Sequence, residues 1–233
     1  MLEVRRSLDR GYADHGWLKS YHTFSFDDYY DPVYEDFGAL RVINENHIRP
    51  GKGYDPQSHQ DVEILTYVIA GELSHSDSLG NAAIIRPGAV QRLSAGSGVT
   101  QSEVNLSASQ EVHLLQIWIK PGSRGLAPGY EQKHFAADEK RGRLRLVASN
   151  AGDDGSLRIQ QDVRVYTGSF NATERAELEV DKGRRAYVHI ASGSIAVNET
   201  RLNAGDGVKI TKPGRFALQS GRDADVLVFD LSC

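Results

Sequence analysis

Short apolar runs, each cut off by a glycine-bearing turn, restrict most strongly the folds open to this chain. Leu40–Ile43, Ile64–Ile69, Ala83–Ile85, Val112–Ile119, Leu144–Val147, Ala186–Ile190, Ile195–Val197 and Val226–Phe229 are rich in valine, isoleucine, leucine and tyrosine. Ala70-Gly71, Leu79-Gly80-Asn81, Pro87-Gly88, Ala95-Gly96-Ser97-Gly98 and Ala204-Gly205-Asp206-Gly207 punctuate them. β-Branched and aromatic side chains suit a pleated, half-buried surface, and glycine supplies the positive φ of tight turns. Many short strands at regular spacing imply a sandwich or a barrel. No long stretch has a strong helical period; Tyr130–Arg141 is read as one or two helical turns.

The turn order repeats. Tyr67–Ser76 resembles Tyr187–Val197: an apolar strand meets a glycine turn and a second strand follows. A further glycine turn comes next in both, at Pro87-Gly88 and Ala204-Gly205, before Val90–Leu93 and Val208–Ile210. Any two hairpins share some of this, but the preserved order favours a duplication. A chain of 233 residues is long enough for two small barrels. Residues 1–135 are assigned to one and 136–233 to the other, with a linker near Pro121–Gly142.

Composition narrows the function. Charged residues are 25 % of the chain and the net charge is −4, which argues against the basic excess of a direct nucleic-acid binder. The single cysteine, Cys233, excludes an internal disulfide and a thiolate metal site within one chain, and fits a reducing compartment. The first residues lack an apolar stretch long enough for a signal peptide, and no segment is apolar enough for a membrane span. A cytoplasmic protein without membrane association is expected.

Two short pairs could carry chemistry: Gln57-Ser58-His59 and Gln101-Ser102-Glu103. On a strand, residues i and i+2 share a face, so two such pairs on adjacent strands can converge inside a barrel. Imidazole and carboxylate are good ligands for iron, copper, nickel and zinc, whereas an amide oxygen is a poorer one. The plainer alternative is a hydrogen-bonded polar network around water. His15 and His22 lie in an aromatic stretch, and His75 and His113 on expected strands. His47, His134 and His189 have no partner at ligand spacing, and all of these are assigned structural or surface roles. Tyr29, Tyr30, Asp27, Asp28 and Asp31 are assigned to shaping a loop.

Several stretches together resemble the pirin family of bicupins: HGWLKSYHTFSFDDYYDP at 15–32, LRVINEN at 40–46, DVEILTYVIAGELSHSDSLGN at 61–81, LSAGSGVTQSEVN at 93–105 and LLQIWIKP at 114–121. The resemblance spans residues 3–135 and continues more weakly through DGSLRIQQDVRVY at 154–166. It implies an all-β fold of two tandem cupin, jelly-roll-type barrels. It also implies one iron-like divalent ion in the N-terminal barrel, held by three histidines and a glutamate, and a C-terminal barrel without ligands.

Carried over residue by residue, the family's histidine positions fall on Gln57, His59 and Gln101, and its glutamate on Glu103. His59 and Glu103 are retained, and the two glutamines stand where histidines are usual. The expectation is therefore a degenerate site, with Glu103 as candidate catalytic base. The site would hold one weakly bound divalent metal (Fe, Mn, Cu, Ni or Zn) or none. Function is read as a non-catalytic or weakly active small-molecule-binding or regulatory protein. The alternative is a metal-dependent quercetin 2,3-dioxygenase, an oxidoreductase using molecular oxygen. The ligand would be a small apolar or flavonoid-like molecule. The family resemblance further implies a protein partner and a monomeric chain.

Overall fold

A computed structural model describes residues 2–233. The N-terminal half contains β1 (Leu2–Arg5), β2 (Gly11–Asp14), β3 (Leu18–His22), β4 (Leu40–Ile48), β5 (Gly53–His59), β6 (Glu63–Ala70), β7 (Leu73–Asp77), β8 (Ala82–Ile85), β9 (Ala89–Ser94), β10 (Val99–Val104), β11 (Val112–Ile119) and β12 (Gly129–His134). One helical turn, α1 (Ala137–Lys140), precedes β13 (Arg145–Ser149), β14 (Leu157–Arg158), β15 (Val163–Phe170), β16 (Arg175–Val180), β17 (Arg184–Val197), β18 (Thr200–Asn203), β19 (Gly207–Ile210) and β20 (Gly214–Ser232). Among the described residues no helix is long and apolar enough to cross a membrane.

The chain divides into two compact units. One comprises Gly11–His134 with Ile159–Gln161; the other takes the stretch up to Arg10, Phe135–Arg158 and Asp162–Cys233. This differs from a cut at 135/136 in its first ten residues, at Phe135 and at Ile159–Gln161. Strand β1 pairs with β19, Leu2 opposite Ile210 and Val4 opposite Val208, so it completes the C-terminal unit's sheet.

The first unit is built from a seven-stranded sheet, β12-β9-β6-β11-β4-β3-β2, and a four-stranded sheet, β5-β10-β7-β8. Strand β6 is buried over Glu63–Val68 without alternation, as a central strand covered on both faces should be. Strand β10 alternates strictly and turns Val99, Gln101 and Glu103 inward. The chain passes from β6 in one sheet to β7 in the other at Gly71, whose φ is +78°. A Cβ there would lie 2.6 Å from the Glu111 carbonyl oxygen, so only glycine fits. Leu18, Ile48, Val68, Leu73, Ile85, Val112 and Leu114 fill one end of this barrel. Ile64, Leu93, Ala95 and Val99 form a second apolar cluster.

The second unit is one sheet of nine strands, with Phe170, Val188, Ile190, Phe216, Leu218, Val226 and Val228 in its core. The runs at 186–190 and 195–197, expected as two strands around a glycine turn, are one continuous strand, β17. Its register against β20 shifts at Ile190/Ser192 and again through Ser194/Ala196, so Gly193 marks a bulge and not a reversal. The linker expected at 121–142 is also partly strand: β12 occupies Gly129–His134 and pairs with β9, leaving only Ala137–Lys140 helical.

Candidate functional site in the N-terminal barrel

The two i, i+2 pairs of the sequence lie on neighbouring antiparallel strands. Gln57 and His59 are on β5, Gln101 and Glu103 on β10, and Gln57 stands directly opposite Gln101. A bulge between Gln101 and Glu103 brings Glu103 opposite Tyr54.

Gln101 Nε2 lies 3.3 Å from His59 Nε2. An amide N–H can only donate, so that imidazole nitrogen is the acceptor and the ring is neutral, protonated at Nδ1. Burial lowers the His59 pKa, in the same direction. Gln101 Oε1 is buried without a hydrogen-bond partner.

Glu103 is fully enclosed. Its Oε1 accepts from Thr66 Oγ1 at 3.2 Å and its Oε2 from Gln116 Nε2 at 2.8 Å. Desolvation is the larger influence on this carboxyl and pushes its pKa up to about 7, against those two hydrogen bonds. Gln116 is itself oriented, because its Oε1 accepts from Trp118 Nε1 at 3.2 Å.

Thr66 and Gln116 belong to a polar row crossing the inner face of the seven-stranded sheet. Successive register partners are His22, Asn44, Gln116, Thr66 and Gln91, all of them buried. His22 Nδ1 and Asn44 Oδ1 are 2.9 Å apart, so that nitrogen donates. Both amide atoms of Gln91 are buried without a hydrogen-bond partner.

Beside this row opens a cavity of about 710 Å³, lined among others by Trp17, His22, Phe26, Tyr54, His59 and Trp118. Its walls are aromatic. Trp118 meets Phe26 edge to face at 5.5 Å and His59 at 5.3 Å, and Trp17 meets Tyr54 at 5.2 Å. Gln57, Ser58 and Gln116 add polar groups to the lining. Volume and lining fall in the range of small-molecule pockets, which are mostly apolar with a few placed polar groups.

Sequence reasoning missed most of this lining. His15, His22 and Asp27, assigned structural or loop roles, line the cavity, as do Trp17, Phe26, Tyr54 and Trp118. The available signal was the aromatic density of residues 15–30. His75 pairs with Asp77 at 3.0 Å and stacks on Tyr130, a buried structural setting.

The expectation of a chain left with a degenerate metal site is not borne out. Among the described residues, Glu45, His47 and His113 bring three donor atoms within 4.8 Å of one another. His47, read as lacking a partner at ligand spacing, has Glu45 two residues before it and His113 across the sheet. The Glu-x-His spacing is local, but that His47 and His113 stand opposite each other is fixed only by the pairing of β4 with β11.

Residues 2–119 match the family model described as Pirin, and residues 146–231 the one described as Quercetinase C-terminal cupin domain. A curated relative, quercetin 2,3-dioxygenase of Escherichia coli, is 40 % identical over 99 % of this chain and 99 % of its own. The chain belongs to the pirin family. A pirin-like protein of Caulobacter vibrioides is also 40 % identical, over 97 % of this chain and 98 % of its own. The crystal structure of the bacterial pirin YhhW from Escherichia coli in complex with nickel(II) superposes with a TM-score of 0.94 at 40 % identity, covering 100 % of this chain and 99 % of that one. The two units are thus the two cupin barrels of a bicupin.

Proposed function

We propose that the cavity of this pirin's N-terminal barrel takes up a planar, hydroxylated aromatic molecule of the flavonol kind. Its reaction would be a metal-dependent dioxygenation of the quercetin 2,3-dioxygenase type. The observation that carries this reading is the slot between Phe26, Trp17, Tyr54 and Trp118, lined also by His59 and Gln57. Flat aromatic ligands gain from offset or edge contacts with such walls beyond the area they bury. The names of the relatives supply the reaction class.

The donors fit a loosely held divalent ion. His59 presents an unprotonated Nε2, Glu103 is a buried carboxyl, and Gln101 keeps one buried amide oxygen unengaged. His59 and Glu103 would hold the ion with help from Gln57 and Gln101. The ion would supply Lewis acidity for a phenolic oxygen and a path for electrons to dioxygen. The protein does the rest. The aromatic walls orient the ligand and exclude water. Gln116 ties Glu103 to the cavity, and Glu103 receives the hydroxyl proton at a carboxyl that titrates near neutrality.

Quercetin titrated into metal-reconstituted protein should bind, and with air should be consumed along with oxygen. In the metal-free protein, quercetin binding should strengthen as pH rises through about 7, where the buried Glu103 carboxyl becomes able to accept a proton, and Glu103→Gln should flatten that profile. Absence of quercetin binding to protein with or without metal would overturn the reading.

A second reading, binding without turnover, draws on the hydrogen bonds that already close His59 on Gln101 and Glu103 on Thr66 and Gln116. Changing Gln57→His with Gln101→His separates the two. The double variant should gain more metal affinity than the ~10–100-fold that supporting hydrogen-bond partners are worth. If only the variant turns quercetin over, the parent is a binder.

A further inference from the structure

Two Glu-x-His pairs occur in the sequence, Glu45-Asn46-His47 and Glu111-Val112-His113. The first lies in β4 and the second enters β11, and the antiparallel register sets His113 directly opposite His47. Strand alternation gives these side chains the outer face of the seven-stranded sheet, because Asn44, Asn46 and Gln116 take the inner one. The group is therefore separate from the barrel cavity.

His113 Nε2 is 2.8 Å from Glu45 Oε1, and His47 Nε2 is 3.8 Å from the same oxygen. The two rings lie face to face at 4.1 Å, inclined by 15°. On the far side of His47, Nδ1 is 2.9 Å from Glu111 Oε1. Side-chain exposures of 12 % for Glu45, 26 % for His47 and 22 % for His113 leave the group half-buried yet open to solvent.

We propose that Glu45, His47 and His113 form a divalent transition-metal site on the outer face of this sheet, of the zinc or nickel class, with Glu111 as the carboxylate that orients His47. Tetrahedral bonds of about 2.0–2.2 Å place neighbouring donor atoms roughly 3.3–3.6 Å apart. The observed 2.8 and 3.8 Å bracket that separation, and because an imidazole lone pair lies in its ring plane, binding requires the two stacked rings to turn about their χ angles until both planes meet at the ion. Glu111 accepts the Nδ1–H of His47, which leaves the Nε2 lone pair on the side of Glu45 and His113. A ligating histidine characteristically gives its other N–H to a carboxylate in this way. Three protein donors leave one position for water, so the ion would be exchangeable.

The test is titration of chelator-stripped, full-length protein with cobalt(II), read by the visible absorption of tetrahedral cobalt, then displacement by zinc. The expected result is a cobalt equivalent whose affinity falls at least tenfold in His47→Ala and in His113→Ala and remains in His59→Ala. Glu111→Gln, a change at a half-exposed side chain, should weaken binding about tenfold to a hundredfold. It serves as the decisive variant if either alanine substitution fails to fold. Binding unchanged in the folded variants, or lost entirely in His59→Ala, would overturn the proposal. The second outcome would place all the metal in the barrel and leave the proposed function standing.

Discussion

Glu63 is a carboxylate in a dry place. It is 2 % exposed, accepts from Ser94 Oγ at 2.7 Å, and stands near Arg92. Burial nonetheless outweighs these partners and raises its pKa. A carboxyl whose folded pKa exceeds its unfolded one favours the fold fully below the unfolded value, about 4.5, and loses that contribution as pH rises through the folded value. Glu63→Gln removes the titration. Its stability relative to the parent should therefore improve as pH rises above about 4.5 and through the raised folded-state pKa, measured by thermal unfolding at each pH. A constant difference would mean that Ser94 and Arg92 compensate the burial. In the sequence Glu63 stands two residues after Asp61, at the start of an apolar run. Nothing local distinguishes a buried carboxylate from an exposed one, because burial is decided by what packs above it.

At the scale of the strand, β5 and β10 carry the barrel site between them, and their approach depends on Gly53. A Cβ at Gly53 would stand 2.3 Å from the Glu103 carbonyl oxygen and 2.5 Å from Val104 Cα. Gly53→Ala should push these strands apart and destabilise the protein by about 1–3 kcal/mol, the usual cost of overpacking. It should also weaken quercetin binding, since Gln57 and His59 follow on the same strand. Denaturant unfolding and ligand titration of one variant read both effects. Unchanged values would show that the strand end bends away freely.

The i, i+2 spacing of Gln57 with His59 and Gln101 with Glu103 was legible, since alternation is a local property of an extended chain. The same spacing marks Glu45 with His47 and Glu111 with His113, and was equally available. The bulge in β17 was not legible. A glycine after an apolar run reads as a turn, and only pairing with β20 shows that the strand continues.

At the scale of the molecule, the first strand belongs to the sheet of the last. Besides pairing β1 with β19, the N-terminal segment satisfies Asp206, which is 2 % exposed and accepts from Arg6 Nη1 at 2.9 Å and Ser7 N at 2.8 Å. Deleting residues 1–10 should leave Asp206 short of partners and the β19 edge bare, lowering stability by about 1–3 kcal/mol for the unmet carboxylate alone. Hydrogen exchange should locate that loss in β17 and β19. Protection lost only in β2–β6 would refute it.

The sequence by itself determined an all-β chain, the apolar runs that form its core strands, and the shared face of Gln57 with His59 and of Gln101 with Glu103. Each of these follows from side-chain alternation, turn chemistry or resemblance along the chain. Tertiary structure alone decided that Glu103 is clamped by Thr66 and Gln116, that Trp118 and Phe26 face the same cavity, and that His47 meets His113. These contacts join positions far apart in sequence, such as Thr66 and Glu103, 37 residues apart, and His113 and Glu45, 68 residues apart. Their geometry is set by sheet register and closure, which no local pattern encodes.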